Sequence, residues 1–220
     1  MISPFRRRLG GDLFNDDSTE CTITQPEPLE CLNWLNDALN TWHIHSSREI
    51  DEEMGDIFVP GNAGIHSSFM GPASAFAKEK PDFEWGCAVM PKKARHVINV
   101  GSSGHSMPAK AAHPDAAWEW LRFQASDESH AIWAKDSRLP PRKSTSLLII
   151  EILNPPPSFK ETFIDAIDVY GVAVWQHVNR AQVEKALQDE FEMVWLGERG
   201  VEEAAEAAKE KVDKLLVEVD

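Results

Sequence analysis

The pattern of apolar and polar positions predicts several amphipathic helices joined by short strands. Apolar residues recur every three or four positions in four stretches, which is the spacing of one buried helix face. These are Leu32, Leu35, Leu39 and Trp42; Phe159, Phe163 and Ile167; Val183, Leu187, Phe191 and Val194; and Ala205, Ala208, Val212, Leu215 and Val219. Apolar or alternating runs at residues 21–23, 65–70, 84–91 and 97–100 predict β-strands. The mixture indicates an α/β protein.

Local signals place the ends of the helices. Thr24 and Glu27 form a capping-box pattern, so the first helix is expected to begin at about Pro26. Glycines at 197 and 200 are expected to break the chain between the last two helices. Residues 170–179 are compatible with either a strand or a loop.

The run from residue 96 to residue 144 is the most informative part of the chain. Its opening apolar run is followed by a glycine-serine turn, and Pro114 suits the first turn of a helix that carries Trp118. Ser126 is predicted to cap a second short helix. Residues 139–142, Leu-Pro-Pro-Arg, then lead through extended chain to a return strand. Strand, loop, two helices and strand together form a crossover unit.

Three motifs of this run, GSSGHSMPAK, HPDAAWEWLRFQAS and RLPPRKS, occur in an order that resembles a known family. They are similar to the extracellular solute-binding proteins of family 1, the maltose-binding-protein-like sugar-binding subunits of bacterial ABC importers. The segment GGDLFNDDSTECTITQPEPLECLNWLNDAL extends the resemblance almost to the first residue. The resemblance covers nearly the whole chain but only the second half of the family.

The resemblance implies a periplasmic-binding-protein-like α/β fold of type II, mostly its C-terminal lobe with a helical segment of the N-terminal lobe. Residues 1–100 would form the first part of the C-terminal lobe. Residues 101–144 would cross the hinge and add a segment to the N-terminal lobe. Residues 145–220 would return with the closing helices of the C-terminal lobe.

Charge and hydropathy narrow the classes of partner. The formal net charge is −14, which would repel a phosphate backbone, so nucleic acid is not an expected partner. No apolar run approaches the roughly 20 residues that a membrane helix needs. The basic start is followed by GGDLFNDDS instead of an apolar core, so a signal peptide is not expected in this stretch. Full-length relatives are periplasmic, or extracellular and membrane-anchored.

The sequence gives little support for a metal site or for an enzyme active site. His43 and His45 supply two metal ligands where a transition-metal site needs three or four, so no metal or cofactor is expected. Serines around His105 lack the GxSxG elbow of a hydrolase. Carboxylates are so numerous that none is singled out as a raised-pKa acid for glycoside hydrolysis. An enzyme is therefore not expected.

Binding of a neutral polyol fits the loops better. Sugar hydroxyls must exchange water for protein hydrogen-bond partners, beside an apolar surface. Small residues at 101–105 let backbone N–H groups approach a ligand, with Ser102, Ser103 and His105 as side-chain partners; a hinge loop without ligand contact is the alternative. Asp12, after two glycines, is suited to accept hydrogen bonds from hydroxyls, with an ordinary turn residue as the alternative.

The resemblance adds four further positions. Gly11 belongs to a Gly-Gly loop near the family's ligand site, and strand 65–70 would deliver Gly71 and Ser74 to that site. Relatives often carry a stacking aromatic after this glycine, whereas the next aromatic here is Phe76. Trp175 lies where relatives send residues toward the ligand, with core packing as the alternative. The tryptophans of the predicted helices are expected to pack inside: Trp34, Trp118, Trp133 and Trp195.

The function that the resemblance implies is capture of a sugar or oligosaccharide between two lobes and its delivery to the membrane permease of an ABC transporter. The expected partners are the sugar and the permease subunits. Since only half of the family is covered, the chain is expected to be N-terminally truncated, with the missing lobe on another chain or with self-association as open alternatives. The alternative function is a ligand-free remnant or a protein-interaction module without a transport role.

Overall fold

The computed structural model describes residues 12–45, 58–101, 104–138 and 140–217. Val219, predicted for the last helix, lies outside them. The described helices and strands, in chain order, are α1 (Pro26–Asn36), α2 (Met70–Glu79), β1 (Ile98–Val100), α3 (Pro114–Gln124), α4 (Asp127–Lys135), α5 (Lys143–Ser146), α6 (Leu148–Leu153), α7 (Pro157–Lys160), α8 (Ala166–Tyr170), β2 (Gly171–Ala173), α9 (Arg180–Trp195) and α10 (Val201–Val217). Two π-helical turns, Asp37–Thr41 and Glu161–Asp165, continue α1 and α7.

The chain divides into two compact units. The first contains Met1–Gly55, Met90–Asn99 and Val172–Asp220, and the second contains Asp56–Val89 and Val100–Gly171. β1 and β2 pair in a two-stranded sheet, and the chain leaves the first unit within β1 and returns to it within β2. The assignment of residues 1–100, 101–144 and 145–220 to the lobes of a family fold stays a prediction.

The core of the first unit is built where α9 and α10 pack together, with α1 and the segment before it. The predicted faces of α9 and α10 are confirmed, because Val183, Phe191 and Val212 are among the fully buried side chains. The predicted glycine break is also confirmed. Gly197 has a φ of +74°, and the N–H of Glu198 donates to the Met193 carbonyl at 2.9 Å, the pattern of a Schellman cap.

The second unit has a separate core. Its buried members are Ala77, Ala134, Ile149, Leu153, Phe159 and Ile164. Helices α4 and α6 pack together within it. The predicted cap of α4 is confirmed, because the Ser126 hydroxyl accepts a hydrogen bond from the N–H of Ser129 at 3.2 Å. Pro114 begins α3 as predicted.

Three predicted strands are wrong. Residues 65–69 are exposed chain without strand pairing, and Met70 opens α2, whose third residue is Pro72; proline is tolerated there because the first-turn N–H groups have no helical partner. In residues 84–91 the side chains of Trp85, Cys87 and Val89 are half-buried and alternate with exposed ones, as predicted. The segment is nevertheless not a strand, and the Cys87 N–H donates a hydrogen bond to the Ser158 hydroxyl. The return strand after residue 142 is replaced by α5 and α6.

Two smaller predictions, a helix cap at Thr24 and a strand at residues 21–23, also differ from the structure. The capping box at Thr24 is wrong, because Gln25 is the N-cap of α1 and its side chain makes no capping hydrogen bond. At residues 21–23 the structure has only an isolated bridge, between Phe14 and Cys21. In the ambiguous stretch 170–179, β2 occupies three residues and irregular chain follows.

Candidate functional site

The eight predicted ligand-binding residues fall into three groups. Gly11, Ser102 and Ser103 lie outside the described residues, so their roles stay predictions. Asp12 and Trp175 belong to the first unit. Gly71, Ser74 and His105 belong to the second unit. Within each unit the surroundings of these residues are well defined.

Trp175 is held by aromatic rings and one hydrogen bond. The Phe14 ring stacks on it with centroids 4.1 Å apart and an interplanar angle of 18°, and the His177 ring lies at 5.3 Å and 4°. The indole Nε1 donates to the Ser18 hydroxyl at 2.9 Å. The half-buried indole also packs against the core of the first unit. The indole ring is therefore already stacked against two neighbouring rings of the same unit.

Asp12 lies two residues before Phe14, on the same segment. Its Oδ1 accepts a hydrogen bond from the N–H of Leu13 at 2.8 Å, and its backbone carbonyl accepts one from the Thr22 hydroxyl at 2.7 Å. The segment is closed by the Thr22 N–H, which donates to the Leu13 carbonyl at 2.7 Å. The structure thus brings Asp12 and Trp175 into one neighbourhood, joined through Phe14.

Helix α10 anchors this segment from the far end of the chain. The carboxylate of Asp213 accepts a hydrogen bond from the Cys21 N–H at 2.6 Å. Lys209 donates to Glu20, to the Cys21 carbonyl and to Asp213, at 2.8–2.9 Å. Burial acts to lower the pKa of Lys209, but its hydrogen bonds to the two carboxylates and their negative charge outweigh burial and raise that pKa. Lys209 therefore remains charged.

Gly71 and Ser74 lie on α2, in the second unit. Ser74 is fully buried, and its hydroxyl donates to the Met70 carbonyl one turn earlier at 2.8 Å. Gly71 lies beside Phe69, because a Cβ atom at position 71 would meet the Phe69 ring at 3.4 Å. A Cβ atom at that distance would make ordinary van der Waals contact, so the Phe69 ring lies against the first turn of α2 without depending on glycine.

Phe69 is an exposed aromatic residue beside Gly71 that the sequence interpretation did not single out. It is 74% exposed and occupies the N-cap position of α2, whereas Phe76 is 5% exposed and packs among the rings of Phe58, Phe83 and Trp85. The family motif predicts an aromatic residue after Gly71, whereas the exposed ring precedes this glycine. The proline at position 72 was the available signal, since proline favours the first turn of a helix and would have placed Phe69 just outside it.

His105 is exposed and lies against Trp133. Their ring centroids are 6.1 Å apart with an interplanar angle of 62°, an edge-on contact. Trp133 in turn lies 6.1 Å from the buried ring of His130, whose Nδ1 is 3.0 Å from the Thr145 hydroxyl oxygen. Ring contacts and one hydrogen bond thus connect the exposed imidazole to the interior of the second unit.

The remaining tryptophans divide between interior and surface. Trp195 packs against the first core, and Trp133 is half-buried. Trp34 and Trp118 are 44% and 56% exposed, so the prediction that the helical tryptophans pack inside is wrong for these two.

In the part of the chain that the structure describes, no group of three or more His, Cys, Asp or Glu residues could hold a metal ion. No described helix is long and apolar enough to cross a bilayer.

Comparison with known proteins supports the fold. A family model described as bacterial extracellular solute-binding protein matches residues 5–160. A search of curated proteins found no match. Among solved structures, the chain is similar to the ABC substrate-binding protein Lmo0181 from Listeria monocytogenes in complex with cycloalternan, with a TM-score of 0.79 and 19% sequence identity over 97% of this chain and 55% of that one.

Two further structures are similar. A solute-binding protein from Thermotoga lettingae, bound to α-D-tagatose, has a TM-score of 0.76 and 18% identity over 98% of this chain and 55% of its own. The maltose/maltodextrin-binding domain MalE from Bdellovibrio bacteriovorus, bound to maltotriose, has a TM-score of 0.74 and 18% identity over 97% of this chain and 56% of its own. The chain thus spans about half the length of these proteins and has the helix-rich, periplasmic-binding-protein-like α/β fold that was predicted.

Proposed function

This chain belongs to the bacterial extracellular solute-binding proteins, and we propose that it binds a sugar or oligosaccharide for an ABC importer. The observation that carries the proposal is the family match over residues 5–160, joined to similarity with proteins whose structures hold cycloalternan, tagatose and maltotriose. The proposed partner after ligand capture is the membrane permease. The proposed activity is capture and release, without a covalent step.

The exposed rings of the second unit support a carbohydrate ligand. A sugar presents C–H faces that pack on aromatic surfaces and hydroxyls that need hydrogen-bond partners. We propose that Phe69, beside Gly71, supplies an apolar ring, and that His105 supplies either a ring edge or a hydrogen bond. Ser102 and Ser103 are proposed to supply hydroxyl and backbone partners. Ser74 is proposed to act through the shape of α2, because its own hydroxyl is buried and bonded to Met70.

Asp12 is the proposed hydroxyl acceptor of the first unit, with Gly11 allowing close approach of the backbone. Trp175 is proposed to hold the segment that carries Asp12, since its ring stacks with Phe14 and His177. The anchor from Asp213 and Lys209 supports this arrangement, because it fixes the far end of the same segment. A fixed acceptor loses less conformational entropy when a ligand binds.

The test is a thermal melt of the purified chain with a panel of mono- and oligosaccharides at millimolar concentration. A sugar at a hundred times its Kd adds about 2.7 kcal/mol, which raises the Tm by roughly 5–10 °C in a domain of this size. His105→Ala should reduce that shift. His113→Ala is the matched control, since it replaces another exposed histidine of the second unit. A cooperative melt that no sugar displaces would contradict the proposal.

A further inference from the structure

His130, in α4, is a histidine side chain with no exposed surface. Its Nδ1 lies 3.0 Å from the hydroxyl oxygen of Thr145, in α5. The second ring nitrogen, Nε2, is also buried and has no hydrogen-bond partner among the described residues. Buried polar atoms without a partner are uncommon in folded proteins, and the proposed sugar site does not use this one. The position is therefore a candidate for a proton-dependent role.

The hydrogen bonds of Thr145 indicate which nitrogen of the neutral ring carries the proton. The Thr145 hydroxyl donates to the Arg142 carbonyl at 3.1 Å. Its oxygen can then accept from the Nδ1–H of His130, which leaves Nε2 without a proton. In the reverse arrangement, the hydroxyl would donate to Nδ1, give up its bond to Arg142 and leave a buried N–H at Nε2. The neutral ring with its proton on Nδ1 keeps both hydrogen bonds.

A second proton on the ring would disturb this arrangement. It would add an N–H donor and a positive charge at Nε2, a buried atom that faces no acceptor within the described residues. Burying a donor without an acceptor is unfavourable, and burying an unpaired charge is more so. The Thr145 oxygen cannot serve Nε2, because it already accepts from Nδ1. The charged ring therefore needs water, which reaches it only when α4 and α5 separate.

The charges around His130 do not offset an imidazolium inside the unit. Helices α3, α5 and α6 pack against α4, and the charged side chains of these four helices are exposed, so water screens them. Those held in exposed ion pairs are Asp127 with Arg142, Glu119 with Arg122, and Lys143 with Asp168. The others on the four helices are Asp115, Glu128, Lys135 and Glu151. In the flanking segments, Asp136 is exposed and lies 4.0 Å from Lys78 of α2, and the exposed His105 ring contacts Trp133.

We propose that the contact between His130 and Thr145 is an acid-sensitive switch, which holds the second unit closed while the ring is neutral and opens it when the ring is protonated. A histidine that water reaches takes up its proton near pH about 6.5. Below that pH the open unit binds one proton more than the closed unit, so opening becomes more favourable as the pH falls. The closed state is therefore fully stabilised above pH about 6.5 and loses stability below it. This device goes beyond sugar binding and does not depend on it.

Hydrogen exchange of the full chain without sugar, followed by mass spectrometry from pH about 7.5 to about 5.5, tests the proposal. After correction for the intrinsic pH dependence of exchange, the ratio of open to closed populations for α4 and α6 should rise by up to about tenfold per pH unit below about 6.5, the slope of one proton. Helices α9 and α10 of the first unit are the internal control and should change by less than about twofold.

His130→Asn keeps an amide donor for Thr145 and does not titrate in this range, so the pH dependence in α4 and α6 should disappear. His113→Asn is the matched control, because it removes an exposed histidine of the same unit and should keep the wild-type slope. Nitrogen-15 spectra of the wild-type histidine rings add a measurement that needs no substitution. They should show His130 with its proton on Nδ1 and none on Nε2 at pH about 7.5.

Four results would overturn the proposal. The first is exchange in α4 and α6 that does not depend on pH, and the second is an equal pH dependence in His130→Asn. The third is a rise shared equally by α9 and α10, which would place the proton uptake elsewhere. The fourth is a His130 ring that carries a proton on Nε2 while the amides of α4 and α6 stay protected. Because no sugar is present, each of these results is separate from the test of ligand binding.

Discussion

Asp213 accepts a hydrogen bond from the backbone N–H of Cys21 across 192 positions of sequence, at 2.6 Å. This bond ties the last helix to the segment that carries Asp12, Phe14 and Ser18. The same carboxylate also accepts from Lys209, which donates to the Cys21 carbonyl. Both backbone polar groups of a fully buried cysteine are thus paired by α10.

Asp213→Ala should lower the free energy of unfolding by about 1–3 kcal/mol, because it leaves the Cys21 N–H without its acceptor. Asp213→Asn should recover part of this loss, since the amide oxygen can still accept. Chemical denaturation by urea measures the change. Asp189→Ala is the control: among the described residues Asp189 makes only an exposed helical pair with Lys185, so a change within about 0.5 kcal/mol is expected. Equal effects of Asp213→Ala and Asp189→Ala would contradict the anchoring role.

Glu190 gives the fold a dependence on pH. Hydrogen bonds from Lys211 and then from Arg199 hold the pKa of its nearly buried carboxyl below the usual value. Since the folded pKa is lower than the unfolded one, this stabilisation is complete above the unfolded value of about 4.3 and is lost as the pH falls through the folded pKa. Glu190→Gln should therefore lower the free energy of unfolding at neutral pH by about 1 kcal/mol.

The difference between wild type and Glu190→Gln should shrink as the pH falls from about 5 to about 3. Urea unfolding at a series of pH values measures it. Glu203→Gln serves as the control, because Glu203 contacts the same Arg199 from an exposed position. A difference in the free energy of unfolding between wild type and Glu190→Gln that stays constant down to pH about 3 would show that the Glu190 carboxylate does not cause that difference.

Gly171 lies at the start of β2 because a side chain does not fit there. A Cβ atom would lie 2.4 Å from the Ile167 carbonyl oxygen and 3.1 Å from Val100 Cγ2. Gly171→Ala should thus lower the free energy of unfolding by about 1–3 kcal/mol, through forced displacement of backbone. Gly64→Ala, in the same unit, meets nothing within 4 Å and should be nearly neutral. Differential scanning calorimetry measures the Tm of both variants, and similar Tm values would contradict the steric argument.

The cap of α4 is expected to contribute measurably to stability. The Ser126 hydroxyl accepts from the Ser129 N–H and donates to the Phe123 carbonyl at 2.7 Å. Ser126→Ala should lower the free energy of unfolding by about 1 kcal/mol, and Ser126→Asp, which keeps a capping acceptor, should cost less. Urea denaturation measures both variants. An alanine variant as stable as the aspartate variant would show that the cap contributes little.

Phe69 and Phe76 provide a matched pair for the ligand proposal. Phe76→Ala removes a buried ring and should lower the free energy of unfolding by about 3–5 kcal/mol. Phe69→Ala removes an exposed ring, so the melt without sugar should hardly change while the sugar-induced shift falls. Thermal melts with and without the sugar that stabilises the wild type measure both effects. An unchanged sugar-induced shift in Phe69→Ala would remove Phe69 from the proposed site.

The candidate site was predictable only where local sequence controls local structure. Glycines, serines and a histidine in one loop pointed to His105, and the structure leaves that imidazole exposed. The exposed position of Phe69 could have been read from Pro72, which marks the start of a helix. The pairing of Trp175 with Phe14 was not predictable, because it joins residues 161 positions apart. Stacking between distant segments leaves no periodic signal in either one.

The sequence by itself determined the long helices, the glycine cap after α9, the serine cap of α4 and the family resemblance. These follow from helical spacing, from the φ that glycine adopts and from hydrogen bonds between neighbours in the chain. Only the tertiary structure decided that residues 84–91 remain extended without strand partners, that α5 and α6 replace a return strand, and that Trp118 and Trp120 face outward. An apolar run favours burial; the surfaces available around it decide whether that burial occurs and in which conformation.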